Sequence, residues 1–231
     1  SGTVTLTLTT NNPAGPCNAV VDTVIITVDQ IATVDAGSAQ TVCADSFITL
    51  AGTRGGSAAS ETWFAPSGSF SNANSLTSDY TPSISSGTVT LTLTTNDPGG
   101  PCNAVADTVI ITVKDDVIIT TQPQNIGVCV TEPASLSIVA VGDDLTYQWY
   151  KGTATGTSVS NTANISGATS NVLSFVQANI SDAGIYYVIV SGDASCASKT
   201  SNEITLNVNQ VISITDQPDS ATLCEGSNIT F

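Results

Sequence analysis

The chain has 231 residues, four basic and nineteen acidic, for a net charge of −15. So large a deficit of cations argues against nucleic acid, which is held by Lys and Arg displacing counterions from phosphate, and against an anionic membrane surface. Thr, Val, Ile and Ser dominate, no stretch keeps a 3.6-residue apolar period, and the chain reads as all-β.

The first element is GTVTLTLTT at 2–10, which alternates Val4, Leu6 and Leu8 with Thr3, Thr5, Thr7 and Thr9. That is the pattern of a half-buried strand. A second strand follows in DTVIITV at 22–28, and the pair recurs: residues 1–28 match 86–113 except at Asn12/Asp97, Ala14/Gly99 and Val21/Ala106. Identity of this kind between neighbouring copies marks a tandem array. A more diverged relation links TTQPQNIGVC at 120–129 to TDQPDSATLC at 215–224.

The six cysteines fall into two classes. Cys43, Cys129 and Cys224 each precede an early strand of a repeat, and Cys17, Cys102 and Cys196 each follow a late one. The simplest pairing joins each early cysteine to the next late one, as Cys43–Cys102 and Cys129–Cys196, leaving Cys17 and Cys224 unpaired in truncated repeats. Six cysteines allow fifteen full pairings, and reduced thiols remain an alternative. A zinc site is disfavoured, since the chain has no His and no CxxC spacing. Disulfides imply an oxidising, extracytoplasmic setting.

The expected domains are 1–29, the C-terminal part of one repeat; 30–114 and 115–208, two complete repeats; and 209–231, the start of another. Short junctions between them suggest an extended string. On this reading residues 1–29 lack the partners that their apolar face expects, and any targeting signal lies upstream. Apolar runs such as IYYVIV at 185–190 are too short to cross a bilayer, so no membrane insertion is expected.

In the 115–208 repeat, LTYQWYK places Trp149 on an alternating strand, and DAGIYYVIV carries the D-x-G-x-Y pattern with Tyr186 at its end. This resembles the tyrosine corner of immunoglobulin-like sandwiches, with Val188 and a residue near Ile138 where such domains often carry a disulfide. The 30–114 repeat keeps a comparable core Trp63 in ETWFAP. Together with PGGPCNAVADTVIITV, the pattern resembles the PKD-like and Ig-like repeats of very large Bacteroidota surface adhesins, including gliding-motility adhesins of the SprB type. That resemblance implies tandem Ig-like/PKD-like β-sandwiches, type IX secretion, display on the cell surface, and partners that are neighbouring repeats, surface polysaccharide or other cell-surface proteins. It further implies O-glycosylation at Asp-Ser/Thr motifs, here at Thr23, Thr108 and Ser220.

Catalysis finds little support. Without His, base-activated Ser or Cys triads are unavailable, and Asp115–Asp116 and Asp143–Asp144 are sequence neighbours rather than carboxylates facing across a cleft. No cofactor is expected. Acidic residues near the junctions (Asp29, Asp35, Asp115, Asp116, Asp216 and Asp219) suggest at most a calcium site, against ordinary turn chemistry. The expected function is a non-catalytic stalk. The alternatives are a glycan-binding module, which needs Trp63 and Trp149 exposed as a platform, and a self-assembling filament subunit.

Overall fold

The computed structural model describes residues 2–12, 14–98, 102–217, 220, 222 and 224–228. The chain divides into two compact units. One comprises residues up to 118 together with 141–145 and 191–198; the other comprises 119–140, 146–190 and 199 onward. A cut at residue 114, as the repeat length suggests, would assign those two short segments to the second unit. They pack instead with the end of the first repeat.

In the first unit, β1 (Gly2–Thr9) and β2 (Val21–Val28) form an antiparallel hairpin in which Gly2 faces Val28 and Thr9 faces Val21. The remaining strands are β3 (Thr33–Asp35), β4 (Gln40–Cys43), β5 (Ile48–Thr49), β6 (Thr53–Gly55), β7 (Glu61–Phe64), β8 (Ser69–Phe70), β9 (Asp79–Thr81), β10 (Gly87–Thr95) and β11 (Ala106–Lys114). They form a sheet of order β4-β11-β10-β7, a sheet of order β5-β9-β8, and the pair β3-β6. Between them lies a core of Leu50, Trp63, Tyr80, Val89, Leu91, Leu93, Val109, Ile111 and Val113. The alternation of β10 and β11 is thereby satisfied: their apolar side is buried and their Thr side is not.

The same sequence has a different fate in the first hairpin. Leu6 and Ile26 are 49% and 45% exposed, whereas their equivalents Leu91 and Ile111 are both 0% exposed. The hairpin registers are identical, with Leu6 facing Val24 as Leu91 faces Val109. What differs is the covering layer, because hydrogen bonding between two strands fixes a hairpin but not what packs on its face.

The second unit contains β12 (Ile118–Thr121), β13 (Ile126–Cys129), β14 (Ala134–Ser137), β15 (Val139–Val141), β16 (Thr146–Lys151), β17 (Thr157–Ser158), β18 (Ile165–Ser166), β19 (Val172–Phe175), β20 (Gly184–Ser191), β21 (Lys199–Thr200) and β22 (Ile204–Asn209). Ile118, Val141 and Ser191 at strand ends fall to the first unit. One sheet runs β13-β22-β20-β16-β17 with β21 also on β20, and a second runs β14-β19-β18. Trp149, Phe175, Leu136, Ile138, Leu173, Tyr186, Val188 and Leu206 are buried. The chain is thus all-β, built from tandem immunoglobulin-like sandwiches.

The Asp182-x-Gly184-x-Tyr186 pattern has its structural counterpart. A 3-10 turn at Ile180–Asp182 leads into β20, and the Tyr186 hydroxyl donates back to the Asp182 carbonyl at 2.7 Å. Burial, and secondarily the Asp182 charge, push the Tyr186 phenol well above its ordinary pKa.

Candidate functional site

A connected set of polar groups lies where the first repeat ends. There β4 runs parallel to β11 and sets Cys43 opposite Lys114. The Ala44 amide donates to the Lys114 carbonyl at 2.8 Å, and Asp45 turns the chain with φ of 60°. The Cys43 sulfur is bonded to Cys196, with Cα atoms 5.0 Å apart across 153 residues of sequence.

This corrects the expected Cys43–Cys102 and Cys129–Cys196 pairing: Cys102 and Cys129 are free, as are Cys17 and Cys224. The reason is strand direction. Cys43 lies beside the last residue of β11, whereas Cys102 precedes its first residue, Ala106, so about 25 Å of strand rise separates them. Cys129 likewise lies opposite Asn209 at the end of β22. Gly184 faces Leu206, so β20 runs about 30 Å away from that point before it reaches Val190, ahead of Cys196. Disulfides need Cα atoms within about 7 Å. The two cysteines of one repeat therefore stand at opposite ends of its sandwich.

Segments 141–145 and 191–198 surround the bond. The Asp115 amide donates to Asp143 Oδ2 at 3.0 Å, and the Asp193 amide donates to the Asp143 carbonyl at 3.1 Å. Lys114 Nζ donates to Asp144 Oδ2 at 2.9 Å. That hydrogen bond, and then the Asp144 charge, raise the Lys114 pKa. Asp193 accepts from the Ser195 amide and hydroxyl at 2.8 and 2.7 Å, which lowers its own pKa, with the amide contributing more. Val117 is fully buried here. Gly192 permits the approach: a Cβ at that position would lie 2.8 Å from Val117 Cγ2 and 2.9 Å from the Asp143 carbonyl oxygen.

Among the described residues, the one convergent set of three Cys, Asp or Glu donors is Cys43, Asp116 and Cys196. Two of its members are disulfide sulfurs, which do not resemble the six to eight oxygens that calcium takes. The Asp116, Asp143, Asp144 and Asp193 carboxylates accept hydrogen bonds from the Val117 amide, the Asp115 amide, Lys114 Nζ and the Ser195 amide respectively. Asp219 lies outside the described residues.

Trp63 and Trp149 are 2% and 0% exposed, and their indole N–H groups donate to the Ser75 and Ser170 carbonyls. They cannot form the exposed platform that a glycan-binding reading requires. Thr23 and Thr108 are exposed on β2 and β11, and Ser220 is exposed. Asp219 and Ala221, which complete the third motif, lie outside the described residues. Asp107, preceding Thr108, accepts from the Ala36 amide at 2.8 Å; this bond first, and the Thr108 amide second, lower its pKa. The position of the disulfide was missed from sequence, although the strand order carried it: an early strand paired parallel to the closing strand places its cysteine at the far end from the late loop.

Among described residues, no helix is long and apolar enough to cross a membrane. Residues 118–209 match a family described as "Ig-like domain CHU_C associated". No curated protein matches the chain. Among solved structures, extracellular domains 3–5 of Drosophila OTK are similar at 14% identity over 83% of this chain and 69% of that one, with a TM-score of 0.58. An I-band fragment of titin is similar at 13% identity over 80% of this chain and 67% of that one, with a TM-score of 0.57. Immunoglobulin domains 1–4 of Sidekick-1 are similar at 19% identity over 79% and 50%, with a TM-score of 0.56. At such identities the likeness is one of fold.

Proposed function

We propose that the chain is a non-catalytic stalk segment of a large extracellular, cell-surface adhesin, spacing its adhesive parts from the cell and presenting them. The observation that carries this reading is the Cys43–Cys196 bond, which ties the end of the 30–114 repeat to the late loop of the 115–208 repeat. A covalent tie across a repeat boundary suits a chain that works under tension. Its persistence requires an oxidising compartment. The charge of −15 keeps crowded neighbouring chains apart.

In this reading the repeats belong to the Bacteroidota adhesin type that the sequence resembles, reach the surface by type IX secretion and carry O-glycans at Thr23, Thr108 and Ser220. Their partners are neighbouring repeats and, weakly at many sites, surface polysaccharide or other surface proteins, with affinity gained by multivalency. Antibodies against residues 30–208 should label intact cells that make the protein, and deleting these repeats should weaken adhesion while export continues. Labelling only after permeabilisation would reject it.

A second reading, a self-assembling filament subunit, is favoured by the uncovered apolar face of the first hairpin. Concentration-dependent association of the 231-residue chain, abolished by Leu6→Lys, would support it over the stalk.

A further inference from the structure

All three early cysteines begin the same turn. The amide three residues on donates back to the cysteine carbonyl in each case: Ser46 to Cys43, Glu132 to Cys129 and Ser227 to Cys224. The residue two positions after each cysteine has positive φ: 60° at Asp45, 72° at Thr131 and 86° at Gly226. Cys129 also repeats the strand environment of Cys43. It faces Asn209, the last residue of β22, and the Val130 amide donates to the Asn209 carbonyl at 2.9 Å, as Ala44 does to Lys114. Cys129 therefore stands, exposed, at the end of the second repeat as Cys43 stands at the end of the first.

The late cysteines share a place of their own. Cys17 lies between β1 and β2, Cys102 between β10 and β11, and Cys196 between β20 and β21. Each occupies the loop after a closing strand, and Cys102 and Cys196 stand at the opposite end of their sandwiches from Cys43 and Cys129. One early and one late cysteine are joined here, and they belong to consecutive repeats.

We propose that this bond is one rung of a ladder, in which the early cysteine of each repeat is disulfide-bonded to the late cysteine of the repeat that follows. The proposal rests on the tandem-array reading. A partner about 153 residues away falls beyond residue 231 for Cys129 and Cys224, and before residue 1 for Cys17 and Cys102. Cys43–Cys196 is thus the single rung that these 231 residues can close by this rule, and the other four cysteines are free. By the same rule Cys129 and Cys224 would pair with late cysteines of following repeats, and Cys17 and Cys102 with early cysteines of preceding ones. Each rung forms when two thiols lose two protons and two electrons to a disulfide acceptor, such as a thiol–disulfide oxidoreductase, which is reduced to its dithiol.

The test inserts a second copy of residues 115–209 after Asn209 of the full chain, the copy marked by Ser198→Thr so that its late-loop peptide differs in mass. After oxidation with glutathione disulfide and alkylation of remaining thiols, peptides are mapped without reduction. Cys129 should be recovered linked to the marked peptide, with Cys43 still linked to the original Cys196. Recovery of Cys129 in alkylated form, or linked to its own repeat's Cys196, in a chain whose melting shows folded sandwiches would overturn the ladder while leaving surface labelling and the stalk reading untouched. Should the lengthened chain not fold, the protein released from cells decides: links between consecutive repeats support the ladder, and any link within a repeat overturns it.

Discussion

Cys43 and Cys196 are bonded although 153 residues separate them, because β4 delivers the first to the end of one repeat and the loop after β20 delivers the second to the same place. Closing so long a loop restricts the unfolded chain by about 5 kcal/mol in the chain-entropy model, and measured values run lower. Cys43→Ser should therefore cost about 2–4 kcal/mol, seen as a lower thermal midpoint that reductant does not lower further. The Cys43→Ser, Cys196→Ser double variant should melt like either single one, since one bond is removed in each.

The duplicated hairpin provides an internal control. Leu6 and Leu91 occupy equivalent sites on identical strands, 49% and 0% exposed. Leu91→Ala should cost about 2–5 kcal/mol through the cavity it leaves, whereas Leu6→Ala should change stability by less than about 0.5 kcal/mol. Chemical denaturation of the two variants measures the contrast directly.

Tyr186 links packing to pH. Its folded-state pKa is raised by burial, so the folded protein holds the phenolic proton more tightly than the unfolded chain does. The sign follows: this contribution is fully present below about pH 10, the unfolded value, and is lost as pH rises further. Urea midpoints of the wild type should fall as pH rises above about 10, and Tyr186→Phe should flatten that fall. At neutral pH the variant should cost about 1 kcal/mol for the hydrogen bond to the Asp182 carbonyl.

Gly192→Val should disturb the site around the disulfide through sterics alone, since its Cβ would meet Val117 and the Asp143 carbonyl at under 3 Å. A loss of about 1–3 kcal/mol is expected. Proteolysis between residues 141 and 145 should become faster, while Trp149 fluorescence, which reports the core of the second unit, should be unchanged.

Local patterns made much of the fold readable. Strict alternation revealed the hairpins, the D-x-G-x-Y run ended on the Tyr186 hydrogen bond, and the isolated Trp63 and Trp149 lie in cores, as large aromatics with a reachable acceptor should. Burial of the first hairpin could not be read locally, because residues 2–10 and 87–95 are the same letters in different surroundings. The cysteine pairing was hidden for a related reason. It depends on parallel pairing of β4 with β11, about 70 residues apart, and on the segments 141–145 and 191–198 packing with the first unit. Spacing between cysteines reported the repeat length but carried no information on which end of a sandwich each one occupies.

The most direct measurement is a peptide map of the oxidised 231-residue chain, alkylated and digested without reduction. A linked peptide containing Cys43 and Cys196 is predicted, with Cys17, Cys102, Cys129 and Cys224 recovered in alkylated form. A Cys43–Cys102 or Cys129–Cys196 link would contradict it, returning each disulfide to the interior of a single repeat.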